Sequence, residues 1–332
     1  MKKYIVLLII VAFTINAFAK TKEPEWVQNH KKVYPNSEYL AQRGSGTSAE
    51  KARTDATAAL SRYFQTNVSA NLSTTMSSVT SGESVEENTV VVDDVNVQSQ
   101  VDFFGLEYTE PYYHKPEKKW YCVVYMNRAE AWENYRPQIE ISRNSFNSLY
   151  KNLTRETDSF TRLSLCRKVW EAAKELLQKL EYGRIISPKE EAAYQDERDR
   201  ISQIPVLFEE SRQNCSIYLR IDRDYNRTIS AALSAAFRDC GFRVTKTEED
   251  ANYTAEVSVD DNIFGENPLS IKPDVSLKVT GKTGKTVYSY ERAAKEKAVG
   301  YTLESARKKA YPKLAKEIED AVRSDLAGVF KL

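Results

Sequence analysis

Residues 24 to 68, PEWVQNHKKVYPNSEYLAQRGSGTSAEKARTDATAALSRYFQTNV, decide the first half of the fold. A Tyr-Leu strand runs into Gly44 and Gly46, and Thr47-Ser48-Ala49-Glu50 then predicts a capping box, with the Thr47 hydroxyl accepting from the Glu50 amide and Glu50 reaching back. In the helix that starts there, Ala52, Ala56, Ala59, Leu60 and Tyr63 follow the three-and-four spacing of one apolar face, and the alanines permit close approach to a sheet. Beyond it Val68, Ala70, Leu72, Thr74 and Met76 alternate with polar residues, which predicts a strand. Residues 80–89 have too little apolar content to pack and predict a loop. Strands are expected again over 91–104, 106–113 and 120–126, with His114 to Lys119 as the last hairpin turn. Residues 20–133 thus form one α+β domain.

Upstream, Lys2 and Lys3, the apolar run from Tyr4 to Ile15 and Ala17-Phe18-Ala19 predict a secretory signal, 1–19, cleaved after Ala19. A run this short does not span a bilayer, which takes roughly 20 residues, and no later segment predicts a transmembrane helix. The first cysteine is Cys122, so no cysteine follows the apolar run to carry a lipid. The expected location is the periplasm. The chain has 332 residues with 48 Lys and Arg against 47 Asp and Glu, a net +1 that becomes −1 once Lys2 and Lys3 are removed. This balance offers no concentrated drive toward phosphate backbones, which argues against nucleic acid as the main partner.

From 134 to 211 the pattern turns helical and predicts a connector: one helix carries Trp132, Tyr135, Ile139, Phe146, Leu149 and Leu153, a second runs from about Asp158 to Gly183, and a third starts at Ser187-Pro188-Lys189-Glu190. Its charged outer faces read as solvated surface. Residues 212–332 predict a second α/β domain. Its strand Cys215–Ile221 leads into an Ala-rich helix from Asn226 to Cys240 stopped by Gly241, then strands 242–247, 253–260, 274–280 and 286–292, and a last helix from Thr302 to about Leu326 that contains Pro312. The fold class is α+β, two small sandwich-like domains of antiparallel or mixed sheet packed by helices.

Candidate chemistry is sparse. His30 and His114 are the only histidines, and both fall in expected surface loops. Gly44-Ser45-Gly46-Thr47 lacks the lysine of a phosphate loop and predicts close packing instead. Asp93-Asp94, Asp260-Asp261 and Glu248-Glu249-Asp250 are sequence neighbours, which point to opposite faces of a strand and do not make a catalytic pair. No catalytic residue, cofactor site or metal site is predicted. Among Cys122, Cys166, Cys215 and Cys240, the strand start at Cys215 and the helix end at Cys240 make those two the candidate disulfide. Tyr108, Tyr112, Tyr113, Trp120, Tyr121 and Tyr125, on adjacent strands, are candidate interface aromatics, because such side chains offer rigid area with a polar tip.

The proline-tryptophan opening, the Tyr-Leu strand into Gly44 and Gly46 and the SAEKARTDATAAL helix resemble the LPP-twenty lipoprotein family of bacterial envelopes. The stretches ALSAAFRDCGFRVTK, ANYTAEVSV and VTGKTGKTVYSYE resemble the amino-terminal domain of the Tol-system propeller protein, the middle domain of the flagellar T-ring protein, the curli-secretion channel protein and the outer-membrane activators of penicillin-binding proteins. These resemblances imply a non-enzymatic, outer-membrane-associated scaffold or assembly protein of the envelope, homo-oligomeric, with envelope proteins as partners. A peptidoglycan binder or regulator of a cell-wall synthase is the alternative, and an unrecognised hydrolase the second.

Overall fold

The computed structural model describes residues 23–80, 105–266 and 268–332, with the side chains of 74–80 left aside. The expected signal, the loop from Ser81 on, the 91–104 strand and Asp93-Asp94 lie outside the described residues. Within them the protein is α+β, with helices packed on open sheets, and divides into two compact units.

The first unit comprises the described residues of 23–71, 105–137 and 181–191. It holds α1 (Glu25–Val33), β1 (Tyr39–Gly46), most of α2 (Ala49–Thr80), β2 (Glu107–Tyr108), β3 (Tyr112–His114) and β4 (Lys119–Asn127). β4 pairs antiparallel with β1 along its whole length, Tyr39 opposite Asn127 and Gly46 opposite Trp120, and with β2 and β3 on its other edge. Even-numbered residues of β1 face α2. A Cβ on Gly44 would lie 2.1 Å from the Ala56 nitrogen, so glycine is what lets helix and strand touch. Ala52, Ala56, Leu60, Phe64 and Val68 are fully buried along that contact.

Two features depart from the sequence expectations. The cap of α2 is Ser48, whose hydroxyl accepts from the Lys51 amide at 3.2 Å, one residue after the expected Thr47. The expected strand from Val68 is helix, because α2 continues to Thr80. Leu60, Phe64, Val68 and Leu72 extend the four-residue repeat of the buried face, and this outweighs the short alternation that Val68 and Leu72 also satisfy.

The second unit comprises the described residues of 72–80, 138–180 and 192–332. The division falls inside α2, α3 (Arg128–Arg155) and α4 (Ser159–Ile186). The expected third helix opens as a single turn, α5 (Pro188–Glu191), followed by a 3-10 turn and then α6 (Gln195–Gln213). Next come β5 (Ser216–Asp222), α7 (Thr228–Asp239), β6 (Arg243–Val244), β7 (Tyr253–Asp260), β8 (Ile263–Phe264), β9 (Leu269–Ile271), β10 (Asp274–Gly281), β11 (Thr286–Ala293), β12 (Ala298–Gly300) and α8 (Leu303–Asp325). The five-stranded sheet runs β11-β10-β7-β5-β6, with β5 parallel to both neighbours and the rest antiparallel. In β7 the alternation is complete: Tyr253, Ala255, Val257 and Val259 are buried, and Glu256, Ser258 and Asp260 exposed. Phe237 of α7, Phe242 and Tyr253 form a chain of edge-on rings at 5.4 and 6.1 Å, which places α7 on the buried side. Gly241 ends α7 at φ 104°, the left-handed region that favours glycine. Thr302 and Ser305 form a capping box at the start of α8. A separate three-stranded sheet, β12-β9-β8, has strands of two or three residues that show no period in sequence.

Among the charged helical residues, Glu181, Glu191 and Glu197 are buried, while others such as Glu133, Glu171 and Glu175 lie open to solvent. Glu197 is 1% exposed, and the Arg143 Nε (2.8 Å) and Asn147 amide (3.2 Å) donate to it. In the first unit the Arg128 guanidinium donates to the Ile185 and Ile186 carbonyls, closing the last turn of α4.

Candidate interaction surfaces

The six expected interface aromatics do not form one face. Alternation along β4 sends Trp120 to the α2 side and Tyr121 and Tyr125 to the α1 side. Tyr108 joins the α2 side, sharing a hydrogen bond with the Thr57 hydroxyl at 3.0 Å, and Tyr113 rests on Trp120 with ring centroids 5.4 Å apart. On the other side Tyr125 stacks on Tyr34 at 4.2 Å, meets Tyr39 edge-on at 6.0 Å and donates to the Glu107 carboxylate at 2.8 Å. Burial and that carboxylate push the Tyr125 hydroxyl well above its usual pKa. Tyr121 is buried beneath the Arg43 guanidinium, 5.0 Å from the ring centre, and donates to Glu117. Tyr112 lies opposite Tyr121 in the β3–β4 ladder. Of the six, Tyr108 and Tyr113 stand most open to solvent. Sequence reading missed Tyr34 and Tyr39, because the helix that brings Tyr34 to the sheet had no visible period.

The histidines sit deeper than expected. His30 belongs to α1, its Nε2 is buried without a hydrogen-bond partner, and burial followed by the charges of Arg43 and Lys31 lowers its pKa. His114 lies between Glu23 at 3.8 Å and Glu117 at 3.5 Å. All four cysteines are free thiols. Cys215 donates to the Ser211 carbonyl and Cys240 to the Val322 carbonyl. Burial pushes Cys166 up to about 11 and Cys215 up to about 12, and raises Cys122 and Cys240, so thiolate is scarce at all four.

The carboxylate neighbours separate as strand geometry requires. Asp260 pairs with Arg223 at 3.2 Å on the open face, whereas Asp261 points inward to Arg307 and the Tyr311 hydroxyl. Glu248 pairs with Arg220, and Asp250 accepts from Thr247 at 2.7 Å. Gly44, Ser45 and Gly46 belong to β1, and the Ser45 amide donates to the Asp55 carboxylate at 2.9 Å. Among the described residues no group of three or more His, Cys, Asp or Glu is placed to hold a metal. A shallow concavity of about 350 Å³, open to solvent, lies on the polar face between Ser258, Asp260, Asp274, Ser276, Glu291 and Arg292. Within it Ser276 donates to Glu291 at 3.3 Å, and Asn262, outside the lining, donates to Asp274 at 2.6 Å.

Two surfaces in the second unit remain open. β11, eight residues long, ends the five-stranded sheet and among the described residues pairs only with β10. The three-stranded sheet leaves Ile263, Phe264 and Val299 in solvent, beside Tyr301. No described helix is long and apolar enough to cross a membrane.

No protein-family model matches the chain, and no curated protein matches it in sequence. Among solved structures it is similar to a minor lipoprotein from Acinetobacter baumannii (10% identity, 34% of this chain and 95% of that one, TM-score 0.25). It is also similar to the secreted protein HP1454 from Helicobacter pylori (14% identity, 87% and 98%, TM-score 0.29). A third is lipoprotein GNA1162 from Neisseria meningitidis (10% identity, 34% and 99%, TM-score 0.22). All three are named as lipoproteins or secreted proteins, and likenesses this distant carry no argument about role.

Proposed function

We propose that this chain is an exported, non-enzymatic component of a bacterial envelope that acts by associating with envelope proteins and with copies of itself. In this reading 20–133 is the first α+β module, 134–211 a helical connector and 212–332 the second domain. The observation that carries it is the free edge of β11. An eight-residue strand with one unpaired side offers a row of backbone donors and acceptors to another chain. β1 also ends its sheet, but its residues are more deeply covered and the Arg43 guanidinium is taken by the Val27 carbonyl. The groups that could do chemistry support the same reading, since Glu248, Asp260 and Asp261 are held in ion pairs and the thiols are raised out of the reactive range.

Light scattering of the purified chain at tens of micromolar tests this proposal. Oligomers are expected, and Ser289→Lys with Glu291→Lys, which places lysines along the edge, shifts them toward monomer. A wild-type chain that stays strictly monomeric contradicts the self-association.

A further inference from the structure

We propose that the outer face of the β8-β9-β12 sheet docks on an anionic lipid surface. In register, Phe264 of β8 lies opposite Ser270 of β9, which lies opposite Val299 of β12, so the three share one face. Ile271 and Gly300 turn the other way: Ile271 is fully buried, and a Cβ on Gly300 would strike Ser305 and Ala306 of α8. Alternation along β12 therefore puts Lys297 and Val299 outward, with Tyr301 two residues further on. Phe264 is 43% exposed, Val299 49% and Tyr301 85%.

Cations border this apolar row. The Lys297 ammonium sits 3.8 Å from the centre of the Phe264 ring, and Lys309 reaches across to the Val299 carbonyl at 2.9 Å. In sequence Lys272 follows β9, Lys295 precedes β12 and Lys308 lies on α8, and the last two are exposed. None of these five lysines is in an ion pair within the described residues; the exposed carboxylates beside them in sequence are Glu266, Glu304 and Glu296, the last paired with Lys313. The charge is therefore locally positive on a chain whose total is close to neutral.

Exposure decides the kind of occupant. Protein hot spots fill pockets in a partner or offer pockets to it, whereas this face presents exposed Phe264 and Tyr301 side chains. Exposed aromatic and aliphatic side chains among flexible lysines match the interfacial region of a bilayer, where rings sit at headgroup level and ammonium groups meet phosphates. The platform is rigid enough to present them, because Asp261, at the β7–β8 junction, is held by Arg307 and Tyr311 of α8.

The test is co-sedimentation of the full chain with phosphatidylcholine vesicles, with or without about 30% phosphatidylglycerol. Binding is expected to the anionic vesicles only, and to weaken on raising salt from about 50 to about 500 mM. Lys297→Glu with Lys309→Glu is expected to lower it at least about tenfold, and Phe264→Ser with Tyr301→Ser by a similar factor. All four positions are exposed, so thermal unfolding close to wild type confirms that the variants fold. Absence of binding to anionic vesicles, equal binding to neutral ones, or binding indifferent to both pairs overturns the proposal. An edge variant that leaves the net charge unchanged, Thr286→Glu with Ser289→Lys, separates this inference from the association through β11, since it is expected to leave vesicle binding unchanged.

Discussion

Among the described residues, the first sheet is covered on both faces and the five-stranded sheet on one. α1 lies on one side of β4 and α2 on the other, so the aromatic residues of the first unit find partners within it: Tyr125 meets Tyr34 and Tyr39, Trp120 meets Tyr113, and Tyr108 meets Thr57. In the second unit α7 covers one side, and the other carries Arg220 paired with Glu256 and Glu248, in a row with Lys278 and Ser289. Aromatic content in a strand is thus a poor guide to adhesive surface. What matters is how many layers stack on the strand; among the described strands, the large apolar side chains left in water belong to those of two or three residues.

If the first unit depends on two-sided packing, removing a buried ring there costs most. Phe64→Ala empties a fully buried site stacked on Tyr182 at 5.9 Å and is expected to cost about 4 kcal/mol in denaturant unfolding. Tyr301→Ala in the second unit stays within about 0.5 kcal/mol. Equal costs would break the comparison.

Gly44→Ala comes next. Its new methyl meets the α2 backbone, which cannot yield as a side chain can, at an expected cost of about 3 kcal/mol. Gly284, at φ 81° in the β10–β11 turn with nothing within 4 Å, loses only about 1 kcal/mol on the same change. Asp158→Ala follows. Asp158 accepts the Thr161 amide at 2.8 Å as the cap of α4 and the Tyr253 hydroxyl at 2.9 Å, so its loss is expected to cost about 2 kcal/mol.

The smallest effect is a pH dependence that differs between the units. The folded pKa of His30 lies below its unfolded value, so the unfolded chain binds the extra proton and stability falls as pH drops below about 6.5. In the second unit Glu156, held by the Asp158 amide, and Glu175, held by Lys179 and Ser142, have lowered pKa values, so their contribution is kept above about 4.5 and lost only below it. Unfolding midpoints between pH 7 and 5 should therefore drop for wild type and stay flatter for His30→Gln. Identical slopes would remove His30 from the account.

The sequence made visible those parts in which one period dominates. β7 alternates without exception, the GKTGK turn joins β10 to β11 as expected, and the alanines of α2 face the glycines of β1. Where two periods coincide, as at Val68 and Leu72, the shorter window misled. Where an element is shorter than any period, as in β8, β9 and β12, composition alone could not reveal it. The division of the six aromatics between two faces was implicit in β4 alternation, but which face lies open depends on α1, whose helical path breaks at Asn29.

The central claim is that the molecule works through open surface and not through a pocket. A photo-reactive amino acid placed at Ser289 on the β11 edge, in intact cells, tests this most directly, with Glu256 on the interior strand β7 as the control. The account predicts covalent adducts to envelope proteins or to a second copy from position 289 and few from position 256. An absence of adducts at 289, or the same adducts from both positions, contradicts it.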